Sequence, residues 1–239
     1  MIARRLFLIG TSSMVLSACG SNLLGPPEAG PMYMVAPKFA AQPAGAKVTW
    51  ALAILRPDTG AGLDTDRIAL TQPDGTMDYY AKATYPDRLS AIVQQALLDG
   101  FEASGRIDAV AREQDALHVD YNLAVELKDF AAHYAQQDGI PSVTVAITVK
   151  LTTAHGRNIV GSFSTVQTGN ALSNSAGATT QALQQALSAA VTQIVAWTLT
   201  APAPTTQQPA TASPGKPAEE LLHDTTRSTD RMREKPPGQ

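Results

Sequence analysis

An internal disulfide is excluded at once, because the 239 residues contain a single cysteine. A thiolate-rich zinc site is excluded on the same ground. Histidine is scarce as well. The four, His118, His133, His155 and His223, include no pair at metal-ligand spacing. No GxSxG elbow, HExxH pair or glycine-rich phosphate loop occurs, and the "GAG" at 60–62 reads as a loop and not as a dinucleotide fingerprint. No catalytic, metal-binding or cofactor-binding residue is therefore expected, and the chain does not read as an enzyme. Charge is low at 16% of residues, with no basic stripe and no aromatics set among arginines. Nucleic acid is not an expected partner, and no polybasic run suits anionic lipid. No stretch reaches the roughly 18 uninterrupted apolar residues that a membrane-crossing helix requires.

What is present begins with that cysteine, in "LSACGS". Arg4 and Arg5 precede the apolar run "LFLIGTSSMVL", which ends at Leu16 and is followed by the small residues Ser17 and Ala18. A charged start, a short apolar core and small residues make 1–18 a secretory signal. Leu16-Ser17-Ala18-Cys19 resembles the bacterial lipobox. The resemblance implies cleavage between Ala18 and Cys19, a diacylglyceryl thioether on the Cys19 sulfur, and a fatty acyl group such as palmitate on its amine. An unpaired, unmodified thiol would be a liability in an oxidising compartment. Each buried acyl methylene contributes about 0.8 kcal/mol, so two or more chains anchor stably. Gly20 stands where aspartate would signal retention in the inner membrane. By analogy with other lipoproteins, the expected location is the periplasmic face of the outer membrane.

Without Arg4 and Arg5, 16 basic residues face 21 acidic ones, a net of −5. Residues 19–46 are rich in Pro, Gly and Ala and read as a flexible tether, with one short strand at "MYMVA". Residues 201–239 are dominated by Pro, Thr, Gln and Ser and read as a disordered tail. Between them, 47–200 is long enough for one domain with a core. Strict alternation marks strands at "VTWALAIL", "LHVDYNLAVELKDF" and "SVTVAITVKL", and "RNIVGSFSTVQT", after the turn "TAHGR", reads as a fourth. The last three should form an antiparallel meander, because one-sided alternation favours antiparallel pairing. Gly161 within the last predicts a bulge or a close backbone approach. Two segments switch to helical period: one carries Leu89, Ile92, Val93, Leu97 and Phe101, and the other runs from about Ala176 to Leu199. Pro86 and Asp87 suit the first turn of the first helix, and Gly105 its end. The expected fold is α+β, a two-layer sandwich of a mostly antiparallel sheet with two amphipathic helices on one face.

The strand at the domain's start, then "LDTDRIAL", then "DYYAKATYPDRLSAIVQQALLDGFEASG", resembles the ABC-type transport auxiliary lipoprotein family, and the three later strands match as well. The resemblance spans 47–197. It implies a role in Mce-type lipid transport: a lipid-anchored periplasmic component that docks an Mce-family protein at the outer membrane and, through it, an inner-membrane ABC transporter. The alternative is an outer-membrane lipoprotein that assembles or activates an envelope machine such as a cell-wall synthase. Asp64, Asp66 and Arg67 are expected to be turn and strand-edge groups, and at least one of Tyr79 and Tyr80 to be core. The uncovered sheet face should carry Asp120, Asn122, Glu126, Lys128, Thr144, Thr148 and Lys150. Such a face suits docking or homo-oligomer formation and not an enclosed lipid pocket.

Overall fold

The computed structural model describes residues 30–40, 45–115, 118–155 and 158–203. The expected signal sequence, the cleavage site expected between Ala18 and Cys19, and the expected tail from 204 onward lie outside the described residues. In chain order the elements are β1 (Leu52–Ile54), β2 (Asp58–Thr59), β3 (Arg67–Thr71), β4 (Met77–Thr84), α1 (Leu89–Ser104), β5 (Val110–Arg112), β6 (Tyr121–His133), β7 (Ser142–Thr153), β8 (Ile159–Asn170) and α2 (Ala176–Thr198).

The eight strands form one mixed sheet built around β6. On one side β6 pairs antiparallel with β7 from Tyr121↔Thr153 to His133↔Ser142. β7 pairs antiparallel with β8, which completes the expected meander. On its other side β6 receives three short parallel strands end to end: β1 at Tyr121–Leu123, β2 at Glu126–Leu127 and β3 at Ala132–His133. β5 adds to β1 in parallel, and β4 adds to β3 antiparallel. The long ladders are thus antiparallel and the short N-terminal ones mostly parallel. The chain reaches the parallel pairing of β1 with β5 and β6 by crossing over through α1, the connection that parallel neighbours require. β1 is buried at all three residues, Ala53 included, as a doubly covered parallel strand should be.

Both helices pack on the same face of the sheet and against each other. Leu123, Val125 and Leu127 of β6 and Val145, Ile147 and Val149 of β7 meet Val93, Leu97 and Phe101 of α1 and Leu183, Leu187 and Val191 of α2 in one core. Fully burying each such side chain contributes about 1.5–3 kcal/mol. Gly100 lets the helices approach closely, since a Cβ there would lie 2.4 Å from Val191. In β8 the register shifts between Gly161 and Ile159, and a Cβ on Gly161 would lie 3.2 Å from the Trp197 ring. The bulge and the close approach expected of Gly161 both occur.

Helix termini depart from expectation in one place. α1 begins at Leu89, with extended Arg88 before it and no acidic residue in its first turn, so Pro86 and Asp87 lie outside the helix. Its terminal amides are met from elsewhere: Leu89 N–H donates to the Thr65 carbonyl at 3.2 Å and Ser90 N–H to Asp64 Oδ1 at 3.4 Å. Gly105 ends α1 in the left-handed conformation at φ 60°, as expected. Ser175 caps α2, its Oγ accepting from Ala178 N–H at 3.2 Å.

The tether drawn through residue 46 contains a packed segment. Tyr33 N–H donates to the Thr84 carbonyl at 2.8 Å, Ala36 N–H to Gln184 Oε1 at 3.1 Å, and Ser188 Oγ to the Lys38 carbonyl at 3.0 Å. Val35 is buried, and Tyr33 and Phe39 pack on the core. Three apolar anchors at odd positions outweigh the Pro and Gly around them, so residues 30–40 run along α2 as part of the domain. The strand expected at "MYMVA" is a single bridge, Met32 to Thr84.

Candidate functional site

With the helices on one face, the opposite face of β6, β7 and β8 is open. Register sets its rows: Glu126 lies beside Thr148, which lies beside Ser164, while Ala124, Lys150 and Ser162 form the next row. Thr148 Oγ1 and Ser164 Oγ share a hydrogen bond at 2.9 Å. Glu126, Lys128 and Lys150 are exposed, and Asn122, Thr144 and Thr148 are half-buried. The face is thus a field of hydroxyls and amides with both signs of charge, suited to a wet interface. Six of the seven residues expected here are in place. Asp120 is not: it precedes β6, and its Oδ2 accepts the Ala51 N–H at 2.8 Å, which ties the start of β1 to β6. An unpaired main-chain donor beside a short parallel strand claims the carboxylate that alternation alone would place on the open face.

A bulge between Leu127 and Asp129 then re-aims the strand, and Asp129, Ala131 and His133 share the open face. His133 Nε2 meets Asp129 Oδ2 at 2.9 Å, and Ala131 between them is buried. Burial holds the Asp129 carboxyl above its ordinary range, against the opposing pull of His133. His133 is the last residue of β6. Asp and His four apart suggest a helical pair, and only the strand assignment with its bulge places them together.

A second polar feature surrounds the start of α1. Asp64, Thr65, Asp66, Pro86, Asp87 and Arg88 line an open hollow of about 340 Å³. Arg56 donates from Nε and Nη2 to Ser90 Oγ at 3.2 and 2.9 Å, and Arg88 Nη1 lies 3.6 Å from Asp64 Oδ2. Hydrogen bonding from Ser90 holds the Asp64 carboxyl below its ordinary range, with Arg56 and Arg88 adding to the effect against some desolvation. The Asp66 carbonyl accepts Tyr85 N–H at 2.6 Å, and the Arg67 guanidinium lies 3.8 Å over the Tyr79 ring. The stretches "LDTDRIAL" and "YPDRL" therefore meet as a structural joint, and Asp64, Asp66 and Arg67 hold that joint. Tyr79 Oη donates to the Gly62 carbonyl at 2.9 Å, while Tyr80 Oη sits 2.8 Å from both Tyr134 Oη and Thr179 Oγ1. Both rings are half-buried, and Tyr80 packs on the core.

His118 and His155 are exposed and well apart from the β6 pair in the fold, and His223 lies outside the described residues. Among the described residues no group of three His, Cys, Asp or Glu is placed to hold a metal ion, and no helix is long and apolar enough to cross a membrane.

Comparison with known proteins adds the family relationship. A family model described as an ABC-type transport auxiliary lipoprotein component matches residues 33–195. The match begins at Tyr33, inside the packed segment that the sequence reading had given to the tether. A crystal structure of a Xanthomonas campestris protein of family DUF330 is similar at 28% identity and a TM-score of 0.67, covering 71% of this chain and 95% of that one. A second structure, of an uncharacterised protein, shares the fold at 13% identity and a TM-score of 0.54, covering 70% of this chain and 99% of that one. No curated protein matches the chain.

Proposed function

The chain belongs to the ABC-type transport auxiliary lipoprotein family, and from that premise we propose that it is a non-catalytic, lipid-anchored docking component of an Mce-type lipid transport system. The single observation that carries this reading is the family match across the whole packed domain, joined to a lipobox cysteine eleven residues ahead of residue 30. In this reading acyl chains on Cys19 hold the protein at the periplasmic face of the outer membrane. The open face of β6 and β7 then receives an Mce-family protein, which connects to an ABC transporter of the inner membrane. The polar field around Asn122, Glu126, Thr148 and Lys150 supports docking over lipid carriage. Burying it against an acyl chain would leave amides and hydroxyls without partners, at several kcal/mol in sum. The hollow at α1 is polar and open, and fails as an acyl pocket for the same reason.

Photo-crosslinking groups at Asn122 and Thr148, introduced into the lipidated protein in its native envelope, test the reading. Capture of an Mce-family protein is the expected result. Capture of a cell-wall synthase instead, or stoichiometric phospholipid bound within the purified domain, would overturn it.

A further inference from the structure

The described chain enters the domain at one end of the sheet. Residues 30–32 run parallel to β4, with Met32 bridged to Thr84. The segment then follows α2 from its first turn onward. A Cβ on Gly177 would lie 3.1 Å from the Tyr33 ring, Ala36 N–H donates to Gln184 Oε1, and the Lys38 carbonyl accepts from Ser188 Oγ. Followed backward, both contacts lead to the end where β4, β7 and α2 start and β3, β6 and β8 stop. Thr71 pairs there with Met77 and His133, His133 with Ser142, and Ser142 with Asn170.

That end carries apolar side chains in water. Leu172 is 81% exposed, Ile140 63% and Met77 46%. Ile140 and Leu172 stand side by side. The register Ser142↔Asn170 continues outward through a hydrogen bond from Ala171 N–H to the Pro141 carbonyl at 3.0 Å, which sets 140 opposite 172. Tyr134 Oη donates to Asn174 Oδ1 at 2.6 Å and ties the two loops together. A single exposed leucine is ordinary on a protein surface. Two large aliphatic side chains held outward on pinned loops form a preformed apolar tip.

We propose, on the premise that Cys19 is acylated and independently of any protein partner, that this tip is a second membrane contact. Ile140 and Leu172 enter the interfacial region of the lipid leaflet that holds the acyl chains of Cys19. Chain length selects lipid as the occupant. Cys19 stands eleven positions before Gly30, and eleven residues span at most about 40 Å even when fully extended. The end at which the chain enters is therefore kept close to the bilayer. The 13 residues of β6 carry the opposite end about 40 Å further away. The chemistry of the tip agrees. Leu172 lies in a loop, 171–175, without a charged side chain, so it can enter the headgroup layer with no ion to dehydrate. The charged groups of the adjoining turns, Asp74 and Asp138, are acidic, so the attraction is apolar and not directed at anionic lipid. With this end against the bilayer, the strands of the meander stand upright and the open face of β6 and β7 looks along the membrane.

The test uses the full-length lipidated protein in phosphatidylcholine vesicles. With the Cys19 thiol acylated, Leu172→Cys, Ile140→Cys or Ile159→Cys supplies one free thiol for an environment-sensitive fluorophore. Ile159 is the control, because it is 69% exposed at the opposite end of the meander, beside Thr152. Probes at 172 and 140 should shift to the blue and be quenched by nitroxide-labelled lipid, and the probe at 159 should do neither. The shift should survive high salt and should not grow when phosphatidylglycerol is added. Mass spectrometry of the same sample reads the acyl chains independently. Acylated protein whose probes at 172 and 140 stay in water would overturn the contact and leave the anchor standing. So would a shift that requires anionic lipid, or a photo-crosslinker at 172 that captures a protein and not lipid in the native envelope. A chain without acyl groups would overturn the anchor and the contact together.

Discussion

Tyr85 is 2% exposed, lies edge-on to Phe130 at 6.4 Å, and its hydroxyl has no hydrogen-bond partner among the described residues. Burial pushes the phenol well above its ordinary pKa. An unmet buried hydroxyl costs about 1–3 kcal/mol. Tyr85→Phe is therefore expected to raise stability by about 1 kcal/mol, or Tm by roughly 2–4 °C, and a fall in Tm would show that the hydroxyl is satisfied in solution. Asp64 acts in the opposite direction. Its carboxyl meets the first turn of α1 and is held below the usual range by Ser90. A depressed carboxylate adds stability above its unfolded pKa of about 3.9, and loses it as pH falls through the folded value. Asp64→Ala should cost about 1 kcal/mol at neutral pH. In urea titrations the gap between the two proteins should hold above roughly pH 5 and close in acid below pH 4. A constant gap down to pH 2 would assign the loss to packing. Cys19→Ser belongs at this scale too. Only a thiolate takes the diacylglyceryl group, so the variant is expected as an uncleaved or soluble form on fractionation. A mature-sized protein still in the membrane fraction would refute lipidation at Cys19.

At the scale of elements, α2 is the part that period alone revealed almost to the residue, because Leu183, Leu187, Val191 and Ile194 repeat on one stripe with nothing to compete. Leu187 is fully buried in the core shared by both helices. Leu187→Ala should cost about 2–5 kcal/mol in chemical denaturation, and less than 1 kcal/mol would mean the helix layer is loosely packed. The meander was equally legible, since alternating runs as long as 119–128 and 142–151 have few other solutions. β1 was legible as a strand but not in its direction. Three buried residues look the same in a parallel or antiparallel ladder, and the deciding fact, a return path through α1, lies outside the segment. Asp120 and the Asp129–His133 pair were illegible for a related reason. Their positions depend on an unpaired amide at Ala51 and on a bulge at Lys128, and neither leaves a compositional mark. The segment around Tyr33 and Phe39 was hidden by its proline and glycine content, although its apolar spacing was there to read.

For the whole molecule, the packed domain reaches Pro202, whose carbonyl accepts the Tyr121 hydroxyl at 2.8 Å. Removal of residues 204–239 should leave Tm nearly unchanged, because that segment has little apolar area to contribute. A loss of several kcal/mol on truncation would move the domain boundary toward the C-terminus. The sheet built around β6 also governs the order in which the molecule can form. β1 waits for partners that come later in the chain: Leu52 pairs with Tyr121, about 70 positions further on; β2 waits for the same strand, and β3, paired locally with β4, joins β6 last. A chain that emerges from its N-terminus therefore exposes "WALAIL" with only the three-residue β5 to join until β6 has appeared. Local meander contacts close cheaply, whereas the parallel ones carry the entropy of a long loop. Nascent chains arrested before Tyr121 should be digested readily by protease, and protection of β1 should arrive only with β6 and β7. Until β6 appears, the first third of this protein is a client that needs shielding, whereas the last third supplies its own escort.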